Sequence, residues 1–176
     1  MNRLHRGSSA LMRLYCLLIA LGVQSCIPGI YKFNETSIDP NINTFFVRRF
    51  DLQANNAPPN LAETFEQVLN QKIRQESRLD ENQVNPDIEF GGTITRFQVT
   101  SEAPQSGETV AFQRLTISTK VDYIDNLNPA RNWEQNFSRF ADFSADQSIL
   151  DVQDELTEEI NILLMEDIFN KAFTDW

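Results

Sequence analysis

From about Ala145 to Phe173 the chain repeats apolar residues at helical spacing: Ile149, Val152, Leu156, Ile160, Leu163, Leu164 and Ile168. A stripe of this length is a helix, and it has to be covered by another layer of structure. Asp151, Asp154, Glu155, Glu158 and Asn161 take much of the remaining surface. Acids crowd the first half and Lys171 lies near the end, as the helix dipole favours. The covering layer must come from upstream.

Upstream, the period changes from helical to alternating. "NTFFVRRF" reads as a strand with Phe45, Val47 and Arg49 on one face and Phe46, Arg48 and Phe50 on the other. "QANNAPPN" breaks it. Asn60 is then placed to cap a helix, with Glu63 three residues on as in a capping box. Leu61, Phe65, Val68, Leu69 and Ile73 follow at helical spacing, and the helix is expected to end near Ser77. In "DIEFGGTITRFQVTSE" the inward set Ile88, Phe90, Gly92, Ile94 shifts phase to Phe97 and Val99, which predicts a β-bulge near Thr95. The turn "APQSGE" leads to a strand with Leu115, Ile117, Thr119, Val121 and Tyr123 on one face. The loop "NLNPAR" leads to a last strand with Trp133 and Phe137 on one face and Phe140 opposite. The expected fold is α+β, in the order β-α-β-β-β-α. It is a four-stranded mixed or antiparallel sheet, the last three strands a meander, with both helices packed on one face.

The N-terminus carries a different signal. Arg3, Arg6 and Arg13 precede about ten apolar residues, "LYCLLIALGV", then "QSC". That is the layout of a secretory signal, and its core falls short of the roughly 20 apolar residues a membrane span needs. Val23, Gln24, Ser25 and Cys26 resemble a bacterial lipobox. The resemblance implies cleavage before Cys26, a thioether-linked diacylglycerol on its sulfur, and acylation of the new N-terminus. Several acyl chains anchor stably where one is marginal. The expected organisation is a lipoprotein signal peptide over 1–25, a lipid-anchored tether over 26–42 and one α+β domain over 43–176.

Cleavage also sharpens what the chain excludes. Without Arg3, Arg6 and Arg13 the 15 bases become 12 against 25 acids, a net charge of −13. The only histidine, His5, leaves with the signal. Histidine-based triads and zinc sites with nitrogen or sulfur ligands are then closed, so no catalytic residue, metal or cofactor is expected beyond the lipid on Cys26. The acidic balance argues against nucleic acid. The acids of 154–159 read as one solvated helix face rather than a facing catalytic pair. The few bases are more informative: Arg48, Arg49, Arg96, Arg114, Lys120 and Arg139 all fall on or beside strands. They either balance local acids on an exposed sheet face or form a small basic strip suited to anionic head groups, with Phe46, Phe112 and Phe140 as exposed companions.

Taken together, the lipobox, "FNETSIDPNINTFFVRRF", "IEFGGTITRFQVT", "RLTISTKVDYIDNLNPARNWEQNFSRFADFS" and "DELTEEINILLMEDIFNKAFTDW" resemble the LPS-assembly lipoprotein family LptE, in its Bacteroidota-type form. The resemblance runs from about Tyr31 to Trp176. It implies a non-enzymatic lipoprotein on the inner, periplasmic leaflet of the outer membrane. Such a protein plugs the LptD β-barrel, helps that barrel assemble, and binds lipopolysaccharide on its way to the surface. The candidate lipopolysaccharide contacts are then Arg48, Arg49, Arg96, Arg114, Lys120 and Arg139. The competing expectation is a periplasm-facing lipoprotein that binds a small ligand or glycan without a barrel partner.

Overall fold

The computed structural model describes residues 38–102 and 111–174. The signal segment, Cys26, most of the tether and the turn "APQSGE" lie outside these residues. The described residues fall within one compact unit, Thr36–Trp176. Its elements are β1 (Thr44–Leu52), α1 (Leu61–Glu76), β2 (Asp80–Glu81), β3 (Ile88–Glu102), β4 (Phe112–Asp125), a 3-10 turn (Pro129–Arg131), β5 (Trp133–Ser144) and α2 (Ile149–Phe173). The sheet runs β2-β1-β3-β4-β5. β1 is parallel to both β2 and β3, while β3, β4 and β5 form the expected antiparallel meander. Both helices bury their apolar sides in a single core.

The sheet has five strands, which corrects the expected four. β2 is only Asp80 and Glu81, both exposed. It is held to β1 by main-chain bonds: Asp80 N–H donates to Asn43 C=O (3.0 Å) and Asn82 N–H to Phe45 C=O (2.9 Å). Two exposed acids carry no alternation, so hydrophobic period cannot reveal such a strand.

A second correction falls in β1. Phe45, Val47 and Phe50 are all buried, and the register with β3 shifts between Val47 and Phe50. The extra residue of a bulge turns Phe50 inward, where its ring lies 4.9 Å from that of Phe65. Burying a phenylalanine gains about 1.5–3 kcal/mol, a gain the alternate register would hand to Arg49. Glu66 Oε1 accepts the Phe50 N–H at 2.7 Å. The predicted bulge of β3 is present, with a register shift between Ile94 and Arg96 that keeps Ile94 and Phe97 both inward.

α1 begins after Asn60 as expected, but without the capping box. Asn60 has helical backbone angles (φ −88°, ψ 0°) and its side chain makes no cap bond. A cap residue needs extended backbone to aim its side chain back at the first turn. α2 starts later than Ala145: the Ser148 hydroxyl accepts the Leu150 N–H at 3.3 Å. Its buried face is wider than the stripe and adds Met165, Phe169, Ala172 and Phe173. Asn161, expected on the polar side, is 1% exposed. The helix packs against both the sheet and α1, so a residue turned from the strands is still covered.

Candidate functional site: the outer face of the sheet

Strict alternation along β4 separates two faces. Leu115, Ile117, Thr119, Val121 and Tyr123 are buried towards the helices, while Phe112, Arg114, Thr116, Ser118, Lys120, Asp122 and Ile124 are half-exposed on the other side. Register then assigns each expected base to a face. Arg96 pairs with Ser118, which places it on the outer face beside Arg114 and Lys120. Arg48 joins them, since its guanidinium lies against Gly91, and Gly91 pairs with the outer residue Asp122. Arg139 is not among them. It pairs with the inward residue Ile117 and reaches α2, where its Nε donates to Asp167 Oδ2 at 2.6 Å. Arg49 is exposed in the β1 bulge.

The outer bases differ in how far they are neutralised. Arg114 is held by Asp142 in a two-pronged pair (Nε–Oδ1 2.7 Å, Nη2–Oδ2 2.9 Å). Its guanidinium sits 3.7 Å from the centre of the Phe140 ring and 5.9 Å from that of Phe112. The hydrogen bond to Asp142 pushes its pKa further up. Lys120 Nζ meets Glu134 at 2.8 Å, and that bond likewise raises its pKa. Arg48 spans Glu89 (3.4 Å) and Asp122 (4.0 Å). Arg96 makes no ion pair or hydrogen bond among the described residues, and neither does the Arg49 side chain. The balancing of local acids therefore accounts for Arg48, Arg114 and Lys120, and leaves Arg96 as a cation with unspent donors on this face.

Around Arg96 the face is lined with hydroxyl groups. Ser118 and Ser138 share a hydrogen bond across the β4–β5 ladder (2.9 Å), and Thr95 Oγ1 donates to Ser118 C=O (3.2 Å). Phe140, 49% exposed, stands at one end. A cation, hydroxyl groups and an exposed ring within one patch suit an anionic amphiphile that carries hydroxyl groups. Two glycines shape the patch. A Cβ on Gly91 would lie 2.6 Å from Arg48 Nη2, so its absence lets the guanidinium lie flat. A Cβ on Gly92 would lie 2.0 Å from Lys120 C=O, so the strands can approach only without it. The sequence marks "GG" inside a strand, but the role of each glycine depends on which face it takes.

Among the described residues no group of three or more acids, histidines or cysteines is placed to hold a metal. No described helix is long and apolar enough to cross a membrane.

Comparison with known proteins gives a consistent placement. A family model described as LptE, lipopolysaccharide-assembly, matches residues 43–172. Among solved structures, a protein from Xanthomonas campestris shares 8% identity and a TM-score of 0.51, with 77% of this chain and 88% of that one covered. A protein from Chlamydia trachomatis shares 10% identity and a TM-score of 0.50, covering 74% and 98%. PelC from Paraburkholderia phytofirmans, solved as a dodecamer, shares 10% identity and a TM-score of 0.49, covering 76% and 90%. At these identities the likeness to the first two is one of fold. No curated protein sequence matches. With its matched segment spanning every described strand, α1 and all but the last residue of α2, the chain belongs to the LptE family of lipopolysaccharide-assembly proteins.

Proposed function

We propose that this chain is an outer-membrane lipoprotein, anchored through acylated Cys26 in the periplasmic leaflet. In this reading it plugs the LptD β-barrel, helps that barrel assemble, and contacts lipopolysaccharide through the outer face of its sheet. Family membership supports the assembly role. The observation that carries the lipid contact is Arg96, a cation without a protein partner among the described residues, on a face with hydroxyl groups and the exposed ring of Phe140. Arg114 contributes a ring-stacked edge, while Arg139, tied to α2, has no part in the contact. The mature charge of −13 repels an anionic lipid at long range. Charges more than a Debye length apart, about 8 Å at physiological salt, are largely screened, so a local cation still binds. The chain does no covalent chemistry in this role.

Two measurements test the reading. Full-length protein extracted from outer membranes in mild detergent should carry a large barrel in near-equal amount. A clean monomer, with the barrel present elsewhere in the same membranes, overturns the plug and favours a free ligand-binding lipoprotein. Arg96→Gln should weaken lipopolysaccharide binding by the full chain about tenfold, the scale of one charge-assisted hydrogen bond. Arg139→Gln should leave binding unchanged. Equal losses, or none, remove the outer face from the contact.

A further inference from the structure

On the opposite side of the molecule, α1 and α2 leave a groove of about 580 Å³ between them. Leu61 and Val68 of α1 and Met165 of α2 give it apolar walls. Two polar side chains of α2 that line it are buried, and no described residue satisfies them. Asn161 is 1% exposed with neither Nδ2 nor Oδ1 hydrogen-bonded, and Thr157 is 9% exposed with its Oγ1 likewise unpartnered. Buried polar groups are nearly always paired, because an unpaired one costs the desolvation it underwent. Ile160, Leu163 and Leu164 beside them show what the position would hold if packing alone were served. These side chains therefore point to something that completes them.

Their chemistry and spacing identify the class. A carboxamide offers one donor and one acceptor side by side. A single residue of an extended chain presents its N–H and C=O the same way, the pair of bonds that hydrogen-bonded residues exchange in an antiparallel sheet. Thr157 lies four residues from Asn161 on the same helix face, a rise of about 6 Å at 1.5 Å per residue. An extended chain repeats its orientation every second residue, about 6.6 Å. An extended strand along α2 would thus offer one residue to Asn161 and the next of the same orientation to Thr157. Charge adds a second constraint. Asp154 and Glu158 are exposed on the groove and make no ion pair among the described residues. Lys72 across from them is engaged by Glu76 at 2.7 Å. The groove is therefore acidic, and an acyl chain with an anionic head would satisfy neither its amide nor its charge.

We propose that the groove between α1 and α2 binds an extended, basic polypeptide segment of another protein. The segment's main chain bonds to Asn161 and Thr157, and a Lys or Arg side chain meets Asp154 or Glu158. The inference needs neither the barrel nor lipopolysaccharide and stands apart from the outer face.

The test uses the full chain in detergent, labelled with 15N-asparagine, and a blocked hexapeptide of alternating lysine and valine. The Asn161 side-chain amide resonance should shift and saturate. The same peptide with N-methylated main chain keeps every charge and should bind at least tenfold more weakly, which separates main-chain recognition from attraction to an acidic protein. Asn161→Leu should lose affinity by a similar factor without lowering Tm, because it removes an unpaired group. No shift at millimolar peptide, equal affinity for the N-methylated peptide, or a lower Tm in Asn161→Leu would each overturn the proposal. A shift at Asn161 caused by lipopolysaccharide and not by the peptide would overturn it in favour of lipid.

Discussion

The two faces of β4 are built from the same fourteen residues and obey different rules. Inward, the strand presents an apolar row interrupted by Thr119, which donates its hydroxyl hydrogen to Thr93 C=O at 3.2 Å, and closed by the buried Asp125, whose Oδ1 accepts the N–H of Leu127 and Asn128. Tyr123 stacks on Trp133 at 5.4 Å, and burial, with the Asp125 charge behind it, pushes its phenol pKa far up. Outward, the strand carries Arg114 and Lys120 among hydroxyl groups, each tied to an acid on β5. The inner face is buried against the helices, with the Tyr123 hydroxyl left without a hydrogen-bond partner among the described residues. The outer face satisfies most of its charges locally, and Arg96 has no such partner among the described residues. A sheet with helices on only one side can divide labour in this way, one face for the fold and one for recognition.

The largest test of that division compares neighbours on one strand. Ile117 is fully buried, so Ile117→Ala should cost about 2–5 kcal/mol. Thr116, the preceding residue, points outward and is half-exposed; Thr116→Ala should change stability by less than about 0.5 kcal/mol. Chemical denaturation of the two variants checks both values. Comparable losses would mean that the outer face is also structural.

How much of this was legible beforehand follows from the same contrast. The inward row of β4, the bulge near Thr95, the span of α1 and the body of α2 could be read because burial imposes a period on the apolar residues, whereas the start of α2 is set by the Ser148 cap rather than by that period. β2 could not, since its two residues bury nothing and are held by main-chain bonds. The β1 bulge was hidden because Arg48–Arg49 fits a plain alternation equally well, and only the site that Phe50 fills beside Phe65 decides the register. The six candidate bases were found by composition, but their split was not. Arg139 differs from Arg114 only in the face its strand position gives it, and that depends on β4–β5 register, a long-range fact. Asn161 was misread because a polar residue on a helix looks solvated until the second helix is known to lie beside it.

Intermediate effects come from positions that join the faces. Gly92→Ala forces a methyl to within 2.0 Å of Lys120 C=O, and a backbone carbonyl in a ladder has little room to retreat. A loss of about 1–3 kcal/mol is expected, readable as a lower denaturation midpoint. Asp87 clamps the start of β1: its Oδ2 accepts the N–H of Asn43 (2.8 Å) and of Thr44 (2.9 Å). The Asn43 N–H, more than the opposing desolvation, lowers its pKa below 3.8. A depressed carboxylate stabilises the fold above its unfolded pKa and loses that contribution as pH falls through the folded value. The Tm gap between wild type and Asp87→Ala should therefore be constant near neutrality and close below about pH 4. A gap that persists at pH 2 would mean that Asp87 acts through packing.

The smallest effect on stability, and the sharpest on the comparison, is expected at Gly91. A Cβ at its neighbour Gly92 meets backbone first, but the three atoms nearest a Cβ at Gly91 all belong to the Arg48 guanidinium, the closest at 2.6 Å. A flexible guanidinium can swing away, so Gly91→Ala should alter stability by less than about 1 kcal/mol, of either sign. The displaced guanidinium leaves Glu89 and Asp122 and becomes available to ligand. On the proposed reading the variant should bind lipopolysaccharide at least as tightly as wild type, with a steeper salt dependence, because exposed charges are the ones salt screens. Titrations at two ionic strengths separate the cases. If Gly91→Ala destabilises as much as Gly92→Ala, the outer face is packed as tightly as the inner one. If it binds more weakly, Arg48 contributes to recognition from its place across Gly91, and the contact extends beyond Arg96.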